Sequence, residues 1–324
     1  MPGPLVRAAI LAAALGAAAL AAPPPPPDTP STPGERAPPA SMSAMRVAVS
    51  IPPLLGLVKP LLPAGSTIEP ILPPGVSEHG FELSPGAVNL ISRADLVVLV
   101  GLGLEPQIEK VLSNQPREGR FVLRFAESVN LEPPGDHDHE HADDHDHAPA
   151  PGSADPHLWL DPMLAGKFVA DLSTSLMEIL KQRGGLRFDD LAPLKYATAE
   201  TKMRINDLDL RYRERLEPFK GRAIVTDHNA FARLASRYGI EIPAVIRATH
   251  SEPTPAALAT IASLMREKKV AAVFSEPQTS PAIAKRLGEL AGVPVLTLDP
   301  LGDGDWFAMM DKNLDALEQG LKGK

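Results

Sequence analysis

Three histidines and one aspartate sit where a metal ion could be held. His79 lies in LPPGVSEHGFELSP, His157 in DPHLWLDP, His228 in TDHNAF and Asp299 in LDPLG. Neutral imidazole is the commonest metal-binding side chain. Three imidazoles and one carboxylate make a tetrahedral set that suits zinc. The chain has no cysteine, which excludes disulfides and thiolate ligands, disfavours Cu(I) and leaves no thiol for a lipid. Manganese prefers more oxygen and less nitrogen, although imidazole does not exclude it. Taken singly, each residue has a plainer role: a loop histidine at the surface, an aspartate opening a turn before proline. The weight lies in where all four fall relative to the elements that carry them.

Those elements alternate. Short apolar segments at Arg46–Ser50, Thr67–Ile71, Leu96–Val100 and Phe121–Leu123 read as strands, with helical stretches such as Ser84–Ser92 and Pro106–Asn114 between them. A second set follows at Ala223–Thr226, Pro243–Ile246, Ala271–Phe274 and Val295–Leu298, separated by helices such as Phe231–Tyr238, Pro255–Lys268 and Pro281–Leu290. This alternation predicts an α/β fold of two similar lobes, each a parallel sheet flanked by helices. Glu105-Pro106-Gln107 and Glu276-Pro277-Gln278 each follow an apolar strand and open a helix, a faint internal repeat. Between the sets, Asp189 to Leu216 is charged and lacks glycine, with Pro193 near its start. It predicts one long helix, roughly 40 Å at 1.5 Å per residue, joining the lobes. His79, His157, His228 and Asp299 all follow predicted strands. Open α/β sheets bind ligands beyond the carboxyl ends of their strands. Two candidates come from each lobe, so they converge if the sheets face one cleft.

The rest of the chain bounds its setting. Arg7 precedes an apolar run from Ala8 to Ala22, with an A-x-A pattern at Ala19–Ala21. The run is short for a membrane span and reads as a secretory signal peptide. Residues 23–44 are proline-rich and read as an extended spacer. Segment 135–148, GDHDHEHADDHDHA, holds five of the nine histidines. It also holds six acidic residues of a chain whose formal net charge is −8, so the remainder is nearly balanced. No basic patch with interleaved aromatics exists, which argues against nucleic acid. The His/Asp-rich loop suits weak accessory metal binding. The expected organisation is a signal peptide (1–22), a linker (23–44), an N-terminal lobe (45–188), a connecting helix (189–218) and a C-terminal lobe (219–324). The mature protein is expected to be soluble and outside the cytoplasm, and is taken to be a periplasmic monomer.

With these motifs in hand, the sequence resembles the ZnuA-like group of periplasmic, zinc-binding solute-binding proteins of ABC transporters. The resemblance runs over most of residues 45–324. It rests on LPPGVSEHGFELSP, ADLVVLVG, the histidine-rich insertion, DPHLWLDP, DHNAFARLASRYGI, FSEPQTSP and TLDPLG. It implies two α/β lobes joined by one long rigid helix, with Zn(II) as transported ligand in the cleft and a membrane permease as partner. Manganese members typically carry Glu at the third position, where His228 stands here, so the resemblance points to zinc over manganese or iron. Asp299 matches the carboxylate used in part of the family and is taken as the fourth ligand, with Glu78 or a water as the alternative. D-H-N-A-F replaces the commoner H-D-A-F, which bears on the bonding around His228. His250 is read as a surface residue, and Glu276 as a support for the site. A zinc hydrolase is disfavoured: four candidates fill the coordination sphere and no H-E-x-x-H occurs. A zinc buffer without a transporter remains the other reading.

Overall fold

The computed structural model describes residues 44–131, 155–184, 191–248 and 252–323. The expected signal peptide, the spacer up to residue 43, the histidine-rich segment and His250 lie outside them. In the first lobe, strands β1 (Arg46–Val49), β2 (Thr67–Pro70), β3 (Leu96–Leu99) and β4 (Phe121–Arg124) alternate with helices α1 (Pro53–Val58), α2 (Pro85–Arg93) and α3 (Pro106–Asn114), and β4 leads into α4 (Phe125–Ser128). In the second, β5 (Ala223–Thr226), β6 (Glu241–Val245), β7 (Val273–Ser275) and β8 (Val295–Thr297) alternate with α7 (Ala232–Arg237), α8 (Pro255–Glu267) and α9 (Ala282–Ala291). All pairings are parallel, in the orders β2-β1-β3-β4 and β6-β5-β7-β8. The two sheets thus share one topology, in keeping with the Glu-Pro-Gln repeat.

Local chemistry sets the boundaries. β3 and β5 are buried at every position, as central strands covered on both faces must be. Ser84 and Thr254 cap α2 and α8 by accepting from Ala87 N and Ala257 N, each with proline at the next position. Such caps satisfy amides that the first helical turn leaves open. α9 stops at Gly292, whose φ of 71° suits a residue without Cβ.

Two long helices lie between the sheets in sequence: α5 (Pro162–Gly184) and α6 (Ala192–Leu216). α6 is the expected connector and carries Pro193 in its first turn. α5 is a partner for it that the strand–helix alternation does not single out. The last helix, α10 (Trp306–Lys322), returns to the first lobe. A Cβ on Gly56 of α1 would meet Trp306 N at 2.6 Å, so the two helices touch at backbone distance. One hydrophobic core runs through both lobes, including Leu54, Val98, Trp159, Leu208, Tyr212, Phe274 and Trp306. Trp159 Nε1 donates to Pro300 O at 2.6 Å, and Trp306 Nε1 to Trp159 O at 2.8 Å. Smaller clusters cover the other face of each sheet. Among the described residues, no helix is long and apolar enough to cross a membrane.

Candidate metal centre

Four side chains meet beyond the carboxyl ends of the strands. Glu78 and His79 come from the loop after β2. His157 comes from the segment entering the short 3-10 turn Leu158–Leu160. His228 comes two residues after β5. One ligand atom from each of the four lies within 4.8 Å of the others. His157 Nε2 is 3.3 Å from His79 Nε2 and 3.2 Å from His228 Nε2. Glu78 Oε1 faces the same three nitrogens at 3.8 Å (His79), 3.5 Å (His157) and 3.6 Å (His228). A tetrahedral zinc with bonds of about 2.0–2.1 Å sets its ligand atoms about 3.3–3.4 Å apart. These five distances, 3.2–3.8 Å, lie within about half an ångström of that tetrahedron's edges.

Two carboxylates, the buried Glu276 and the half-buried Asp155, orient two of the rings. Glu276, directly after β7, reaches His228 Nδ1 at 2.7 Å (Oε1) and 2.8 Å (Oε2). Asp155 Oδ1 reaches His157 Nδ1 at 2.8 Å and accepts from His157 N at 3.0 Å. A proton held at Nδ1 by a carboxylate leaves the Nε2 lone pair to face the centre and makes it more basic. Glu78 Oε1 is buried and makes no hydrogen bond among the described residues. An orphaned carboxylate oxygen facing three imidazole nitrogens suits a cation.

The titrations follow from this packing. Burial alone would push the Glu78 carboxyl up, but His157 and His228 outweigh it and hold it well below the usual range. At His228, burial works against the charged ring, yet Glu276 and Glu78 raise its pKa to about 10. His157 is raised in the same way, by Asp155 and Glu78 against burial. Burial raises Glu276, with His228 opposing.

Of the four expected ligands, the structure brings together His79, His157 and His228. Asp299 is not in the cluster. Its Oδ1 accepts from Gln278 Nε2, Leu301 N and Gly302 N, each at 3.0 Å, so it caps the turn after β8. The carboxylate facing the imidazoles is Glu78, the alternative left open by the sequence. Glu276 is a support, as read. Asp155 was missed, although the spacing Asp155-Pro156-His157 gave the signal: a carboxylate two residues from a histidine can close on its ring. In the D-H-N-A-F departure, Asp227 turns away from the ring. It pairs with the buried Arg247 and accepts from Thr279 Oγ1 at 2.9 Å. Glu105, the counterpart of Glu276 in the repeat, accepts from Val100 N and Gly101 N instead.

A family model described as ZnuA, zinc-uptake complex component A, periplasmic, matches residues 47–320. The chain belongs to the ZnuA family. Among ZnuA relatives, the high-affinity zinc uptake system protein ZnuA of Yersinia pestis is 27% identical, over 83% of this chain and 86% of that protein. The zinc-binding lipoprotein AdcA of Streptococcus pneumoniae is 28% identical over 79% of this chain, which spans only 52% of AdcA. A crystal structure of ZnuA superposes with a TM-score of 0.71 at 22% identity, covering 86% of this chain and all of that one, and shows a shared fold. The Zn(II)-bound ZnuA-like domain of pneumococcal AdcA superposes at 0.65 with 26% identity, covering 86% of this chain and 99% of that domain.

Proposed function

We propose that this chain is the extracytoplasmic component of an ABC importer that captures Zn(II) and delivers it to a membrane permease. Zinc is its cargo, held by His79, His157 and His228 through Nε2 and by Glu78 through Oε1. The observation that carries the reading is the near-tetrahedral set of three Nε2 atoms and one orphaned carboxylate oxygen. Three nitrogens to one oxygen suit zinc better than manganese. Four protein groups complete the sphere and leave no position for a reactive water, which favours carriage over catalysis. The ZnuA and AdcA names of the relatives support the same cargo. Export by the N-terminal signal peptide, a periplasmic monomer and weak accessory binding by the histidine-rich segment complete the proposal.

The test is a titration of the chain with Zn(II) and Mn(II) under chelator competition, repeated with His157→Ala and with residues 136–147 deleted. One tight zinc site that survives the deletion and vanishes in His157→Ala is expected. Tight binding that disappears with the deletion alone would make the protein a zinc buffer. Preference for manganese would overturn the cargo.

A further inference from the structure

We infer that Arg233 is a positioning residue for the metal centre, gripping Asp155 from the second lobe so that Asp155 holds the His157 ring in its metal-facing orientation. The inference rests on the metal reading above. Asp155 has three duties within a few ångströms. Its Oδ1 takes both the His157 amide and His157 Nδ1. Its Oδ2 faces Arg233 Nε at 3.8 Å, and its backbone oxygen accepts from an Arg233 guanidinium nitrogen at 3.3 Å. Arg233 therefore touches both the main chain and the side chain of the residue that fixes His157. Its Nε is buried and makes no hydrogen bond among the described residues, so its contact with the Asp155 carboxylate is one of charge.

The placement in the chain gives the contact its meaning. Arg233 stands five residues after His228, in α7. One turn further on, Arg237 faces Asp161 at 3.7 Å and pairs with Asp209 of α6 at 2.8 Å. Asp161 in turn caps α5 through Met163 N at 2.8 Å. Asp155 and Asp161 bracket His157, and the two arginines of α7 face both. A single short piece, residues 228–237, thus supplies one histidine and steadies the mount of another. A free Asp155 carboxylate could rotate and release Nδ1, and the ring would lose its fixed tautomer and aim. Arg233 removes that freedom without touching the proposed ligand atoms.

The test uses the full chain. Zinc affinity by chelator competition and the visible absorption of the Co(II)-loaded protein are measured for Arg233→Gln, Arg233→Lys, Asp155→Asn and the Arg233→Gln/Asp155→Asn pair. Thermal melts of the metal-free proteins verify folding. Losing a direct outer partner of a ligating histidine typically costs 10–100-fold in affinity, and Arg233 acts one step further out. Arg233→Gln is expected to weaken zinc about 3–10-fold and to shift the Co(II) bands. Arg233→Lys is expected to recover most of the loss, and Arg233→Gln to add nothing once Asp155 is already Asn. Zinc affinity within twofold of the parent in Arg233→Gln, or the same penalty with and without the Asp155 carboxylate, would overturn the inference while leaving the metal centre standing. Parent-like zinc binding in His157→Ala would overturn both.

Discussion

Proton competition should dominate the pH dependence of zinc capture, because the metal-free centre is built to hold a proton where zinc must bind. With its pKa raised to about 10 by Glu276 and Glu78, His228 is protonated at pH 7, while Glu78 is ionised. Glu276 sits on Nδ1, so the extra proton lies at Nε2, which faces the other ligands. Zinc needs that lone pair, so binding expels the proton. As pH rises toward 10 the competing proton leaves more readily and the apparent affinity climbs. One displaced proton gives a slope of one decade per pH unit, worth about 1.4 kcal/mol. Between pH 7 and 9 the gain is about 100-fold. The His157 pKa is raised as well, so its proton also competes with the metal. Calorimetry in buffers of different ionisation enthalpy counts the protons released, and competition titrations at pH 7, 8 and 9, corrected for the chelator's own titration, give the slope. Affinity that is flat above pH 7, with no proton released, would refute the argument. The same shift has a signed effect on stability. A histidine raised above its unfolded value near 6.5 stabilises the metal-free fold fully below that pH and loses the contribution as pH rises toward 10. Metal-free melts should fall over that window.

Glu276→Gln keeps the shape of the Nδ1 partner but removes its charge, and is expected to weaken zinc about 10–100-fold in chelator competition. Glu78→Gln removes the carboxylate charge that faces the three imidazoles and should weaken zinc by more than Asp299→Asn, which should leave affinity within about twofold and lower stability by about 1 kcal/mol through its turn-capping bonds; the reverse order in competition and denaturant titrations would restore Asp299 as the ligand. Gly56→Ala would drive a methyl to 2.6 Å from Trp306 N and is expected to cost about 1–3 kcal/mol in denaturant titration, as overpacking does.

The lobes were legible because their strands are short, apolar and punctuated. All eight expected strands appear, most within a residue or two of the expected ends, since burial on both faces leaves a run such as Leu96–Leu99 little freedom. The histidines were legible because each follows a strand. The carboxylates were harder to rank. Asp299 and Glu78 both follow strands, and nothing in the sequence says that Asp299 will spend its oxygen on Gln278 and two turn amides. Only the fold shows which carboxylate has no competing donors. Arg233 and Arg237 were invisible for a similar reason. An i, i+4 pair of arginines reads as a solvated helix face until its partners, Asp155 and Asp161, arrive from about 75 residues away in the chain.

The shared core restricts how the metal can come and go. Trp159 and Trp306 are fully buried and bonded to each other's neighbourhood. Aromatics of this size bury roughly 150–250 Å² each. Exposing both by parting the lobes would cost roughly 8–12 kcal/mol at about 25 cal/mol per Å², so fewer than about one molecule in 100,000 would be open at any moment. His157 lies two residues from Trp159, and His228 follows the wholly buried β5, so neither can withdraw without disturbing that core. His79 differs. Its side chain is 20% exposed, against 5% for His157 and 9% for His228, and Gly80 beside it adopts φ 72°. The cheaper route for zinc runs past His79, with the loop after β2 moving and the lobes fixed. On the proposed delivery to a permease, this loop, rather than a hinge, is the element that would report whether the protein is loaded.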